Sequence, residues 1–231
     1  KSRAMPAPRF IHLRLHSEYS VTDGIVRIDD AIVRAVADGM PALALTDLSN
    51  LFGMVKFYTA ARGAGVKAIV GCDVWVAPPP AEQGALAQVD GSDAPARLLL
   101  LAKNSAGYLR LCELLSSAYL VPRRHGRAEI SRAAIADGDN SGLIALSGAH
   151  LGDVGQLLLA GKEDKALARA HEWAGLFPAG YYLEVQRYGQ PQQELLVGRT
   201  VALAGAAGLP LVATHPIQFL EKVGPERRRR S

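Results

Sequence analysis

The residues best equipped for chemistry stand near the start of the chain, in RFIHLRLHSEYSVTDG, Arg9 to Gly24. Histidines occupy positions 12 and 16, an arginine position 14 and an acid position 23. In an extended strand residues two apart share a face, so His12, Arg14 and His16 are expected on one side and Ile11, Leu13 and Leu15 on the other. Imidazole and carboxylate are ligands for divalent metals. Further polar residues follow apolar runs: Asp47 in ALTDLSN, Asp73 in IVGCDVWV, Ser147 and His150 in LIALSGAH, and His215 in VATHPIQF. In barrels of parallel strands such positions, at the C-terminal strand ends, form the active site. The same residues also suit helix capping and loop bonding, as Asp47 would by N-capping the segment LSNLFGMVKFY. Spacing alone leaves both readings open.

The elements that must carry these residues alternate. Short apolar runs bounded by Gly, Pro or Asp predict strands at Phe10–Leu15, Ala42–Thr46, Lys67–Ala77, Leu98–Ala102, Leu143–Ser147, Tyr181–Val185 and Leu211–Thr214. Helical periodicity predicts helices at Ile28–Asp38, Gly53–Ala64, Ala106–Leu120, Val154–Ala160, Lys162–Leu176 and Gln192–Ala207. Asp29 and Asp30 suit the start of the first helix and Gly39 its end. Repeated strand–helix units favour a parallel sheet with helices outside. Seven units without an internal repeat point to one α/β barrel-like domain. Two loops stand apart: the proline-rich Pro78–Pro95, which reads as an insertion, and VPRRHGRAE at Val121–Glu129, whose arginines suit either solvent or a phosphate backbone.

Composition narrows the classes. Of 231 residues 49% are hydrophobic, enough for a sizeable core, yet no apolar run nears the ~20 residues of a membrane-spanning helix. Two cysteines, Cys72 and Cys112, argue against a disulfide framework and for a reducing cytoplasm. The net charge of +4 resides mostly in EKVGPERRRRS, Glu221–Ser231, with five positive and two negative residues. That reads as a solvated or appended basic tail rather than a DNA contact.

Four stretches carry a family resemblance: FIHLRLHSEYSVTDG, MPALALTDLSNLFGMVKFYTAARGAGVKAIVGCDVWV, GYLRLCELLSSAYL and GLIALSGAHLGDVGQLLL. Together they closely resemble the PHP (polymerase and histidinol phosphatase) domain at the N-terminus of bacterial DNA polymerase III α subunits, of proteobacterial type. The resemblance runs from about Phe10 to Phe219. It divides the chain into an extension at 1–8, a PHP domain at 9–220 and the basic tail at 221–231. It implies a distorted seven-stranded α/β barrel, related to the TIM barrel, which this chain is expected to complete only in part.

Metal-binding members of that family hold three metal ions. Carried onto this chain, their first ligand pair falls on Arg14 and His16 and their turn acid on Asp23. The histidine after TD falls on Leu48, the third-strand acid on Asp73 and the next histidine on Arg97. The ligand after LSG falls on Ala149, and the closing acid and histidine on Pro216 and Gln218. Only His16, Asp23 and Asp73 keep ligand chemistry, and His12, His150 and His215 are neighbours rather than matches. Arginine stays protonated and has no lone pair to give. The resemblance therefore implies no metal, cofactor or catalytic residue for this piece, with Arg14 and Arg97 supplying positive charge around Asp23 and Asp73.

The resemblance further implies that the parent chain is a DNA-directed DNA polymerase, a nucleotidyltransferase using Mg, whose catalytic residues lie outside this sequence. It implies three partners: the rest of the α chain, the ε proofreading exonuclease docked on this domain, and DNA only within the full polymerase. The alternatives are an active phosphoesterase or 3′–5′ exonuclease using Zn or Mn, and a non-catalytic nucleic-acid-binding module.

Overall fold

The computed structural model describes residues 10–78, 95–121, 126–189 and 191–220. The extension at 1–8, most of the proline-rich loop, the basic residues at 123–125 and the tail at 221–231 lie outside these. Seven strands form one sheet: β1 (Ala42–Leu45), β2 (Lys67–Val76), β3 (Ala96–Ala102), β4 (Glu129–Ile130), β5 (Leu143–Leu146), β6 (Tyr181–Gln186) and β7 (Leu211–Thr214). The order is β1-β2-β3-β5-β6-β7, with β4 paired to β2 off that path. The helices are α1 (Ile28–Ala37), α2 (Met54–Gly63), α3 (Ser105–Leu120), α4 (Arg132–Ala136), α5 (Asp153–Leu159), α6 (Glu163–Leu176) and α7 (Pro191–Ala207). The sheet is curled, enclosing Leu99, Leu101 and Leu146 on its inner side. The short β4 and α4 have too few residues for a periodic pattern, and sequence reading missed them.

The all-parallel sheet is corrected. β3 runs antiparallel to both β2 and β5, while the β1–β2, β2–β4, β5–β6 and β6–β7 pairs are parallel. A parallel connection needs a crossover, usually helical. The Pro/Ala/Gly-rich stretch between β2 and β3 has no such amphipathic pattern, which was the signal for a reversal. This reversal sets the site, because it brings the N-terminal end of β3 beside the C-terminal ends of β2 and β5.

The expected first strand, Phe10–Leu15, is also corrected. Segment 12–17 lies against β1, with Ala44 N–H donating to His12 O and Thr46 N–H to Leu15 O. Two donors two residues apart thus meet acceptors three residues apart, one residue more than a regular ladder allows. Such an extra residue is a bulge, and it breaks the two-residue alternation. Leu13 accordingly packs inside the curl, whereas Leu15 joins the outer layer with α1 and α2. On its other side the segment meets residues after β7, through a bridge from Leu15 to Ile217.

Alternation along the other strands divides the core. From β3, Leu98 and Leu100 face the outer layer under α3, α5, α6 and α7, while Leu99 and Leu101 face inward with Leu146. From β2, Cys72, Val74 and Val76 face outward; from β6, Tyr181 and Leu183 do. The inward sets are therefore Asp73 with Trp75, Arg97 with Leu99 and Leu101, and Tyr182 with Glu184 and Gln186. The lower part of the interior is leucine-filled and the mouth is charged. In α1, Asp29 and Asp30 sit in the first turn and Gly39 follows the helix at φ 65°, as expected.

Candidate functional site

At the mouth, Asp73 is the meeting point. It is buried on β2, and its Oδ2 receives Arg14 Nη1 and, at 2.7 Å, Arg97 Nη1. His16 Nε2 lies 3.2 Å from the same oxygen and His16 Nδ1 3.0 Å from Asp23 Oδ2, both close ion-pair distances off the hydrogen-bond line. Arg97 Nη2 stands 3.6 Å from Asp23 Oδ2. Arg97 also stacks on Trp75, its register partner on β2, with its guanidinium carbon 4.1 Å from the ring centroid, and Arg127 lies 5.0 Å from that ring.

Sequence reasoning missed Glu184. It lies fully buried on β6 and takes Arg14 in a two-pronged bond, Nε at 3.0 Å and Nη2 at 2.9 Å. The signal was present: YYLEVQ places one acid inside an apolar strand, and a buried acid needs a partner. Arg14 thus pairs with Asp73 and Glu184, where the expectation paired the two arginines with Asp73 and Asp23; Arg97 does contact both of those.

Electrostatics follow from these contacts. Burial works against ionising Asp73, but Arg14, His16 and Arg97 together hold its carboxyl far below the usual range. Burial likewise opposes the Arg14 charge, and Asp73 with Glu184 more than restores it. Burial alone would lower His16; Asp23 and Asp73 outweigh it and raise the imidazole to about 8. Asp23 is lowered, burial being overcome by His16, Ser20 and Arg97. Near neutral pH the Asp73 and Asp23 carboxylates therefore face the Arg14 guanidinium and the His16 imidazolium.

Arg14, His16, Asp23, Asp73 and Arg97 line a cleft of about 390 Å³ with His150, Gln186, Tyr188, His215, Pro216 and Gln218. Arg14, His16, Asp23, Asp73, Arg97, Pro216 and Gln218 are thereby brought together. Leu48 and Ala149 are not among the lining residues. Leu48 bridges to Asp73 through its backbone, and Ala149 sits at φ 48° in a 3-10 turn, Ala149–Leu151. His12 is separated from Arg14 and His16 by the bulge and lines a different groove, against α1. Asp47 is not a helix cap: it accepts the Ser17 N–H at 2.6 Å and hydroxyl at 3.0 Å, and Gly53 precedes α2 without a side-chain cap.

The set does not fit the metal centre that the fold implies. Two guanidiniums already bond Asp73 Oδ2, and a divalent ion there would face two fixed positive charges in a buried site. Among the described residues no group of three or more His, Cys, Asp or Glu side chains is placed to hold a metal ion. No helix among them is long and apolar enough to cross a membrane.

Comparison with known proteins agrees with the fold. The family model of the PHP domain matches residues 12–188. The DNA polymerase III subunit alpha of Neisseria meningitidis (serogroup A) is 48% identical over 220 residues, covering 94% of this chain and 18% of that protein. The subunit of Escherichia coli K12 is 43% identical over 226 residues with the same coverages. The chain thus spans 18% of the length of these relatives. Among solved structures, an amidohydrolase from Chromobacterium violaceum aligns with a TM-score of 0.54 at 18% identity, covering 93% of this chain and 92% of that one. A Bifidobacterium adolescentis protein assigned to the metal-dependent phosphoesterases gives a TM-score of 0.54 at 13% identity, covering 96% and 91%. Likeness at such identities speaks to fold alone.

Proposed function

This chain belongs to the PHP domain family, and from that premise we propose that it is the N-terminal PHP domain of a replicative DNA polymerase III α subunit, without catalysis of its own. It acts in the cytoplasm as a structural module of the α chain and as the platform on which the ε proofreading exonuclease docks. Polymerisation, with its Mg ions and its DNA, belongs to the remainder of that chain.

One observation carries this reading: the acid at the centre of the mouth, Asp73, bonds two arginines where the family's chemistry needs a metal. Hydrolysis by a metal centre requires a cation that activates water and clamps phosphate. Arginine offers no coordination site for such a cation, and it neutralises the carboxylate that remains. The high identity to polymerase α subunits over 94% of the chain supports the assignment to that subunit.

The test has two parts. Incubation with zinc and manganese, desalting and metal analysis should find almost no bound metal, and a 3′–5′ exonuclease assay should find no activity. Two or three metal ions per chain, with hydrolysis, would establish the phosphoesterase alternative instead. Gel filtration with purified ε should show co-elution; separate elution at micromolar concentrations would remove the docking role.

A further inference from the structure

We propose that Val21, Ile25 and Phe219 form a docking surface for an apolar segment of the rest of the α chain. Val21 is its anchor, held out for that contact by a strained turn. This rests on the reading above that such a chain continues past this domain.

Val21 adopts a conformation that its residue type disfavours. It lies at φ 64° and ψ −49°, and the Thr22 N–H donates to Ser20 O at 2.7 Å across it. That is a three-residue turn with positive φ at its centre, a rare and strained form. A β-branched side chain makes it an outlier, whereas glycine would fit there without steric cost. The surroundings hold the turn in place. Ser20 Oγ donates to Asp23 Oδ1 at 2.7 Å and accepts the Leu48 N–H at 2.9 Å. Asn50 Nδ2 donates to Tyr19 O at 3.0 Å. At Gly24 the loop presses so closely on the chain before it that a β-carbon would stand 2.1 Å from Ser17 O.

The Val21 side chain gains little inside the domain to offset that strain, being 77% exposed. Ile25, on the same loop, is 74% exposed, and its N–H donates to Gln218 O at 3.3 Å. The next residue, Phe219, is 56% exposed and lines the same cleft as Asp23. One exposed valine is ordinary. Three exposed apolar side chains on adjoining segments, one of them in a strained turn, mark a contact surface. The charged groups beside it are already paired: Glu18 with Lys56 at 3.4 Å and Arg27 at 3.9 Å, and Asp23 with His16 at 3.0 Å. What a partner gains here is therefore apolar burial.

Position selects the source of that partner. Phe219 and Leu220 are the last described residues, and the chain covers 18% of the length of its relatives. On the reading above, the α chain continues from the edge of this surface. A segment tethered there has a high effective concentration over it, so few contacts are enough to hold it.

Hydrogen exchange in the full-length α subunit tests this. Val21→Ser combined with Ile25→Ser should speed exchange about tenfold at residues 20–26 and equally in one segment beyond this domain. Val21→Gly keeps the turn and relieves its strain, so it folds, yet it should speed exchange in that same distant segment. Changes confined to residues 18–26, with no effect beyond the domain, overturn the proposal. Protection of residues 20–26 that arises only when ε is added overturns it as well, and makes ε the occupant. A full-length wild-type subunit that cannot extend a primer would instead sink the polymerase reading beneath it.

Discussion

His16 makes the charge balance of the mouth testable by pH alone. Its imidazole is raised from 6.5 to about 8 in the folded chain. A group held above its unfolded pKa stabilises the fold fully below the unfolded value and loses that contribution as pH rises through the folded one. That rise corresponds to about 2 kcal/mol, most of which should disappear between pH 6 and 8.5. Other groups act elsewhere on the scale. His12 and His150 are lowered, the first by burial and His215, the second by burial and Arg14. Their effect has the opposite sign and lies at and below pH 6.5. Asp73 and Asp23, held down by their partners, act only in acid. Burial pushes Cys72 up, so its loss begins above its ordinary thiol value of about 8.5.

The assay is urea unfolding of wild type and His16→Gln at intervals from pH 6 to 8.5, read as the difference between the two. That difference should shrink by about 2 kcal/mol across the range. NMR titration of the His16 ring should give a midpoint near 8. Parallel pH profiles for the two proteins, with a His16 midpoint at or below its ordinary value, would refute the placing of an imidazolium between Asp23 and Asp73.

Three further outcomes follow from contacts elsewhere. Asp153 accepts Arg132 at 2.8 Å, Arg169 at 2.9 Å and the Trp173 indole at 3.0 Å; Asp153→Asn should cost about 2 kcal/mol in denaturant unfolding, since it weakens three hydrogen bonds and leaves the two partly buried guanidiniums only the exposed Glu172 as a carboxylate partner. Gly148 sits at φ 80°, and a β-carbon there would stand 2.3 Å from the Arg97 carbonyl oxygen; Gly148→Ala should cost roughly 2–4 kcal/mol and loosen the turn beside Glu184, visible as faster amide exchange. Trp75→Leu removes the face on which Arg97 lies and should cost about 1–2 kcal/mol, with a double-mutant cycle against Arg97→Met showing that the loss is shared.

Much of this was legible in the chain. Apolar runs bounded by turn residues located the six longer strands β1, β2, β3, β5, β6 and β7, and periodicity located all but the shortest helix. The motif positions Arg14, His16, Asp23, Asp73 and Arg97 line one cleft. The failures have physical causes. Strand direction is a tertiary property: LLLLA at Leu98–Ala102 reads the same in either sense, and only the missing helical pattern before it hinted at reversal. A bulge is invisible to a two-residue count, so His12 was assigned to the face that the bulge in segment 12–17 takes away from it. Asp47 met the local rule for a helix cap, but Ser17, thirty residues earlier, competes for its oxygens and wins both. Glu184 was passed over because a single acid in a strand is usually read as facing solvent.

The division of the interior explains why arginine, rather than an apolar side chain, suits this site. Below the mouth, Leu99, Leu101 and Leu146 are enclosed on all sides, and dispersion with the hydrophobic effect favours leucine there. At the mouth Arg14 and Asp73 are buried, yet the cleft above them is lined by His150, Gln186, Tyr188, His215 and Gln218. Replacing a buried ion network by well-packed apolar groups is often neutral or stabilising, but only where packing is complete. Here one side has no packing partner, so apolar substitutes would line a polar cleft with unpaired hydrophobic surface. Leucine is also too short to fill the span from β2 to β6 that the Arg14 fork crosses. A charged fork satisfies both constraints: it reaches two strands, and it keeps the carboxylates paired at the edge of a polar cleft. The cluster thus ties β2 to β6 through Arg14 while it keeps both carboxylates paired.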